Sequence, residues 1–146
     1  EVFDRLGATV LYLPNDLPKD PEEVWERAES ERKGGDRRVA QAIYDFFNAS
    51  FPDHDRADDA LERLAQQAES EGDSALAIRH YKRIHKEYAE GDRAADALWK
   101  IGSLLTSRGD CEKAIGIYRY ISRNTEDEER KKEAILKADA LEDGCS

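Results

Sequence analysis

The stretch Arg93 to Tyr120, RAADALWKIGSLLTSRGDCEKAIGIYRY, decides the fold. Apolar residues recur at three- and four-residue spacing on both sides of the pair Gly109-Asp110, which predicts two short amphipathic helices joined by a tight turn. The stretch 56–83, RADDALERLAQQAESEGDSALAIRHYKR, lies 37 residues earlier and has the same pattern. The chain therefore contains a helical hairpin that is repeated.

The turn between the helices occurs a third time, because Gly35 is followed by Asp in the same way as Gly72 and Gly109. A helical hairpin that recurs at a fixed spacing is typical of a solenoid. Since every apolar period in the chain is helical, we predict no sheet. The expected fold class is all-α: a right-handed solenoid of three helical hairpins plus a C-terminal capping helix.

Length and charge limit the function. A chain of 146 residues is one domain in length, and 23 basic against 33 acidic residues give a net charge of −10. This charge argues against binding to nucleic acid or to an anionic membrane, and it permits a basic peptide or protein as partner. No apolar run reaches the roughly 20 residues of a membrane span. Because the sequence contains no Met, we expect an upstream region to be missing.

The predicted organisation has two parts. Residues 1–19 do not fit the repeat, and we interpret them as a linker or extended arm in which the apolar run Val10 to Leu13 could be a strand. Residues 20–146 form the repeat domain, with repeats at about 20–52, 55–90 and 92–125 and a capping helix at about 128–142. In the capping helix we expect one packed side, formed by Ala134, Ile135, Ala138 and Leu141.

Aspartates mark most of the expected helix starts, since Asp is a good N-cap residue. We predict caps at Asp20, Asp36, Asp55, Asp73 and Asp110.

Small and aromatic residues hold equivalent places in the three hairpins. A small residue precedes a second small residue by twelve positions, an aromatic residue follows after four more, and a bulky apolar residue after three more. The four positions are Ala28, Ala65 and Gly102; Ala40, Ala77 and Ala114; Tyr44, Tyr81 and Tyr118; and Phe47, Ile84 and Ile121. Ala or Gly is needed where two helix axes nearly touch, and an aromatic ring fills the space between hairpins. This spacing resembles the tetratricopeptide repeat over about residues 20–142.

Two features make the chain similar to a particular branch of these repeat proteins. The repeat period is 37 residues rather than the usual 34. The end of the first hairpin, Phe51-Pro52-Asp53, is followed by the sequence ADDAL, Ala57 to Leu61, at the start of the next helix. In these respects the chain is similar to the C-terminal repeat domain of the Tol-Pal-associated periplasmic family YbgF/CpoB, and more distantly to the outer-membrane assembly lipoprotein BamD. The first resemblance implies a periplasmic scaffold, oligomeric through an upstream coiled coil, that contacts TolA and the peptidoglycan synthesis machinery during division.

In such hairpins the first helix lines the concave face, which selects the candidate partner-binding residues. They are Trp25, Glu29, Asp59, Glu62, Gln66, Glu69, Asp96, Trp99 and Ser103. This set predicts an acidic groove with two tryptophans, 74 residues apart, that anchor an apolar side chain or the stem of an Arg or Lys. The alternative is that both tryptophans belong to the core, because Trp is usually largely buried.

The two cysteines are expected at the same end of the array. Cys111 lies in the first turn of one helix and Cys145 follows the next helix, and neighbouring helices joined by a short loop run antiparallel. A disulfide is therefore geometrically reasonable, and it would indicate an oxidising compartment such as the periplasm. The alternative is two free thiols.

No catalytic or metal-binding pattern is present in the sequence. His54, His80 and His85 lack partners at ligand spacing, Gly34-Gly35 is a helix stop rather than a phosphate loop, and adjacent carboxylates point apart along their helices. We therefore predict a non-enzymatic protein without cofactors or metals. Three other roles stay open: an oligomerisation or spacer element that uses the arm Val10 to Leu13, a BamD-like assembly component, and an accessory domain of an enzyme.

Overall fold

The computed structural model describes residues 7–91 and 93–145. These residues form one 3-10 helix, Gly7–Tyr12, and seven α-helices, with no strand among them. The α-helices are α1 Pro21–Gly34, α2 Arg37–Ser50, α3 Ala57–Ser70, α4 Ser74–Glu87, α5 Ala94–Ser107, α6 Cys111–Asn124 and α7 Glu128–Asp143. The predicted all-α class is confirmed.

The chain divides into two compact units, Glu1–Glu71 and Gly72–Ser146. In the first unit the 3-10 helix and α1 both pack on α2, which also packs on α3. In the second unit α4 packs on α5, α5 on α6 and α6 on α7. Each unit is therefore built from helices that pack on their neighbours in sequence, as repeated hairpins require.

The small and aromatic positions form the core. All twelve residues that the repeat pattern selected are buried. At Gly102 the requirement for a small residue is direct, because a Cβ atom there would lie 2.8 Å from Cζ of Tyr118. The prediction that small residues allow close helix contact is confirmed at this position.

The predicted helix starts are only partly correct. The carboxylates of Asp20, Asp36 and Asp73 accept hydrogen bonds from the first turns of α1, α2 and α4. Asp110 precedes α6 but makes no such bond. The prediction for Asp55 is wrong, because α3 begins at Ala57 after Arg56. Here the backbone turns of residues 51–57 set the start of the helix: the N–H of Ala57 donates to the carbonyl of His54 at 2.9 Å.

The three glycine-aspartate turns are not identical. Gly72 and Gly109 have φ angles of +78° and +81°, a region that favours glycine, whereas Gly35 has φ −119°. Gly35 instead donates its N–H to the carbonyl of Glu31 and closes the last turn of α1. The sequence repeat thus marks three turns but only two of them share a backbone conformation.

The N-terminal apolar run is helical. Val10 to Tyr12 belong to the 3-10 helix, and Leu13 donates its N–H to the carbonyl of Val10 at 3.1 Å. The expectation of a strand or extended arm is therefore wrong for these residues. The reason is that the 3-10 helix packs on α2, where Arg38 lies 5.1 Å from the ring centre of Tyr12.

The last helix packs through fewer residues than expected. Ala134 and Ala138 are fully buried, but Ile135 is 36% exposed and Leu136 is 68% exposed. Placing Ile135 on the packed side was wrong, because at 100° per residue it lies at the edge of the stripe that Ala134 and Ala138 define.

Candidate functional site

The two units divide the nine candidate partner-binding residues. Six lie in the first unit, on α1 and α3, and three lie in the second unit, on α5. The first set is Trp25, Glu29, Asp59, Glu62, Gln66 and Glu69, and the second is Asp96, Trp99 and Ser103. A single groove formed by all nine residues therefore stays a prediction.

Trp25 belongs to the core of the first unit. It is 6% exposed and makes edge contacts with Tyr44 and Phe47, each with ring centres 5.5 Å apart. The guanidinium of Arg56 lies 5.3 Å from the Trp25 ring, and its Nη2 is 3.8 Å from Oε1 of Glu22. Of the two interpretations of Trp25, the structure supports the core one.

Trp99 is only partly buried. Its ring makes an edge contact with Tyr118 at 5.3 Å, and the guanidinium of Arg130 lies 5.9 Å from the ring centre. Nη2 of Arg130 donates to Oδ1 of Asp96 at 2.9 Å. Trp99 thus packs against Tyr118 and Arg130 while part of its surface stays accessible.

The same acid, tryptophan and arginine arrangement occurs twice in the molecule. Glu22, Trp25 and Arg56 in the first unit correspond to Asp96, Trp99 and Arg130 in the second, each 74 residues further on. Sequence reasoning found the tryptophans but missed the arginines, although their equal spacing was a usable signal. An arginine of the chain itself therefore contacts each tryptophan, in the way predicted for a partner's side chain.

Glu29 is the centre of a polar network. Arg32 donates to it from Nη2 at 2.9 Å, Arg63 donates from Nε at 3.0 Å, and the hydroxyl of Tyr44 donates to Oε2. Burial acts to raise the pKa of Glu29, but the hydrogen bonds from Arg32 and Tyr44 and the nearby positive charges outweigh burial and lower the pKa to about 2. Burial, together with the hydrogen bond to Glu29, raises the pKa of Tyr44.

The surroundings of Glu29 are cationic rather than acidic. A cavity of about 250 Å³ in the first unit is lined by the arginines Arg32, Arg37 and Arg63 and by Gln66. Arg37 also donates to the hydroxyl of Ser70. At this position two arginines neutralise the negative charge that the sequence suggested.

The remaining candidates keep more surface. Asp59, Glu62 and Glu69 are half-buried on α3, and Gln66 is exposed. In the second unit, Asp96 and Ser103 are exposed. At 100° per residue Asp96, Trp99 and Ser103 lie on one side of α5, and we refer to these three residues as the α5 face.

The three histidines lie in different surroundings. His54 accepts the backbone N–H of Arg56 through Nδ1 at 3.1 Å, and its Nε2 is 2.9 Å from Oε2 of Glu22. Burial lowers the pKa of His80 to about 4, and its Nδ1 has no hydrogen-bond partner among the described residues. His85 makes an edge contact with Tyr120. Within residues 7–91 and 93–145, no group of three His, Cys, Asp or Glu is placed to hold a metal ion.

The two cysteines lie at the same end of the second unit. Cys111 opens α6 and Cys145 follows α7, and their Cα atoms are 6.0 Å apart with the sulfur atoms in contact. This separation lies within the range that a disulfide requires.

Comparison with known proteins supports the repeat class. Residues 59–91 match a family model of the tetratricopeptide repeat, a segment that includes most of α3 and all of α4. No curated protein and no solved structure matches the chain significantly. In the described part of the chain no helix is long and apolar enough to cross a membrane. The matched repeat and the helical hairpins support a tetratricopeptide-like protein, a class that acts through protein–protein interaction.

Proposed function

We propose that this chain is a non-enzymatic interaction scaffold whose partner docks on α5, the first helix of the third hairpin. The observation that carries this proposal is the α5 face, where a partly exposed Trp99 lies between exposed Asp96 and Ser103. Aromatic residues with one packed and one accessible side are frequent anchors in protein interfaces. The partner is a protein or peptide.

The chemistry of the partner follows from the side chains on this face. The accessible part of the Trp99 ring accepts an apolar group or the stem of a Lys or Arg, and the carboxylate of Asp96 attracts a cation. Because Arg130 already bonds Asp96, a basic side chain of the partner competes with Arg130 for that carboxylate. We therefore expect a segment with mixed basic and apolar character.

The proposed location is the periplasm of a bacterium, in a scaffold like that of the YbgF/CpoB family. Support comes from the 37-residue period and the Phe51-Pro52-Asp53 exit, and from the contact between Cys111 and Cys145. Disulfides form and persist mainly in oxidising compartments. On this proposal the partner is TolA-like or a cell-wall synthesis factor, and the scaffold links Tol-Pal to cell-wall synthesis during division.

Calorimetric titration with a soluble TolA domain tests the docking proposal. Ser103→Tyr places a bulky side chain on the α5 face, so we expect at least a tenfold loss of affinity. Glu112→Tyr adds the same group to an exposed position on α6 and serves as the matched control, with affinity within about twofold of the wild type. Equal affinities of the two variants would reject the α5 face as the docking site, and absence of binding by the wild type would reject the TolA-like partner.

Thiol titration tests the proposed compartment. Protein purified without reductant and then denatured is expected to show no free thiol. Two free thiols per chain would reject the disulfide and with it the support that it gives to a periplasmic location. The docking proposal would be unaffected, because the calorimetric titration tests it separately.

One observation favours a second function, oligomerisation through the N-terminal segment. Leu11 is 80% exposed and Tyr12 is also exposed, although both belong to an apolar run. Such side chains are candidates for contact with another copy. Sedimentation of the chain with and without residues 1–19 separates the two functions, because only the oligomerisation hypothesis expects assembly that is lost on truncation.

A further inference from the structure

The second unit has a groove on the side of α5 opposite to the α5 face. Ile101, Leu105 and Arg108 line this groove, and at 100° per residue they point away from Trp99 and Ser103. The groove lies between α4 and α6, which both pack on α5, and encloses about 500 Å³. A partner in this groove would not meet one on the α5 face.

The floor of the groove is apolar and its rim is basic. Ile78, Ile101 and Leu105 form a buried floor, and Ile117 is half-buried beside them. The rim carries four exposed cations, Arg79, Lys82, Arg108 and Lys113, against one carboxylate, Asp110. Asp110 pairs with Arg108 at 3.6 Å, while the other three cations have no ion pair among the described residues.

The charge of this groove is opposite to that of the chain. The chain carries a net charge of −10, yet the rim has four cations and one carboxylate. None of the four rim positions is cationic one repeat earlier, where the residues 37 positions before Arg79, Lys82, Arg108 and Lys113 are Ala42, Asp45, Glu71 and Leu76. The basic rim is therefore a local feature of the second unit and not a property of the repeat.

We propose that this groove binds an acidic segment of a partner protein, with an apolar side chain on the floor and carboxylates on the rim. Complementary charge favours such a segment, and the buried floor supplies the apolar contact that a solvated charge patch lacks. The site is separate from the docking face proposed above, and neither depends on the other.

Gly116 allows a direct test because it lines the groove and a Cβ atom there would meet no atom within 4 Å. Gly116→Lys, Gly116→Gln and Gly116→Glu place side chains of similar length and different charge at one point. Random dodecapeptides displayed on phage are selected on the wild type, and the enriched peptides are synthesised for fluorescence anisotropy. We expect acidic peptides with one or two apolar residues.

The affinities of the three variants then decide the proposal. We expect them to fall in the order Lys, Gln, Glu, with at least tenfold between the first and the last and a smaller difference at high salt. Lys82→Glu is expected to weaken binding about tenfold, while Lys86→Glu, one turn further along α4 and outside the groove, changes it less than threefold. Circular dichroism checks that each variant is folded.

Several results would overturn the proposal. They are enrichment of basic or uncharged peptides, failure to enrich any peptide over the Gly116→Glu variant, and affinities that do not depend on the charge at position 116. Vesicles with anionic lipid and a DNA duplex are included as probes. If they bind with the same dependence on position 116 and the acidic peptides do not, the groove recognises an anionic surface and not a protein segment.

Discussion

The first hairpin, α1 and α2, and the third hairpin, α5 and α6, have the same core but use their outer sides differently. Trp25 is buried against two aromatic rings, Tyr44 and Phe47, whereas the equivalent Trp99 meets one ring, that of Tyr118, and stays partly exposed. The cause is visible in sequence, because the residue equivalent to Phe47 is the smaller Ile121.

The residue next to the small core position separates the hairpins further. In the first hairpin it is Glu29, held by arginines and by Tyr44; in the third it is Ser103, which is exposed. The small and aromatic core residues thus allow the two helices of each hairpin to pack. The residues next to them in sequence decide whether the outer side of the hairpin stabilises the fold or is available to a partner.

The tryptophans give the largest expected contrast. Trp25→Ala removes a buried ring and is expected to lower the free energy of unfolding by about 3–5 kcal/mol. Trp99→Ala should cost less, about 1–3 kcal/mol, because part of the ring is already in water. Urea denaturation of both variants measures the difference, and equal losses would contradict the distinction between a core and a surface tryptophan.

The proposed disulfide gives the next effect, since it would join the ends of the last two helices of the second unit. Closing a loop of 34 residues is expected to stabilise the fold by about 3–4 kcal/mol in the chain-entropy estimate. Adding reductant should therefore lower the urea midpoint of the wild type. Cys145→Ser is the control and should have a low urea midpoint both with and without reductant. If reductant left the wild-type midpoint unchanged, the proposed disulfide would be rejected.

Local patterns explain what the sequence predicted well. The all-α class follows from the spacing of apolar residues, which is a property of residues close together in the sequence. The burial of Ala28, Tyr44, Gly102 and Tyr118 follows from their repetition, because residues that recur at one register position meet the same neighbours in each hairpin. Aspartate caps were correct at Asp20, Asp36 and Asp73, whereas Asp110 precedes α6 without a cap bond. The prediction was wrong at Asp55, where a longer connection offers several possible starts.

Contacts between distant residues explain what the sequence missed. Arg63 reaches Glu29 across 34 positions, and no single helix pattern shows that two arginines and a tyrosine meet one carboxylate. The 3-10 helix of residues 7–12 depends in the same way on packing against α2. The basic groove of the second unit was hidden because its cations lie on three separate elements of an acidic chain.

Glu29 provides a pH-dependent contrast between the hairpins. Its pKa of about 2 lies below the ordinary value of 4.5, so its contribution is complete above pH 4.5 and is lost as the pH falls toward 2. Glu29→Gln is expected to cost about 1–3 kcal/mol at pH 7 and to make stability less dependent on pH in that window. Ser103→Ala, at the equivalent position, should change neither the stability at pH 7 nor its dependence on pH. Urea denaturation at pH 7, 4.5 and 3 measures both quantities. If the stability of Glu29→Gln depended on pH as strongly as that of the wild type, the network around Glu29 would be contradicted.

Two glycines of the third hairpin give the smallest but most closely matched contrast. Ala in place of Gly gains up to about 1 kcal/mol in a helix, and this gain should appear at Gly116, where the new methyl group meets nothing within 4 Å. At Gly102 the same methyl group meets the Tyr118 ring at 2.8 Å, and overpacking should cost about 1–3 kcal/mol. Thermal denaturation of the two variants should therefore show shifts of opposite sign. A stabilising Gly102→Ala would mean that the ring moves aside without cost, and the close approach of α5 and α6 would then not be what selects a small residue there.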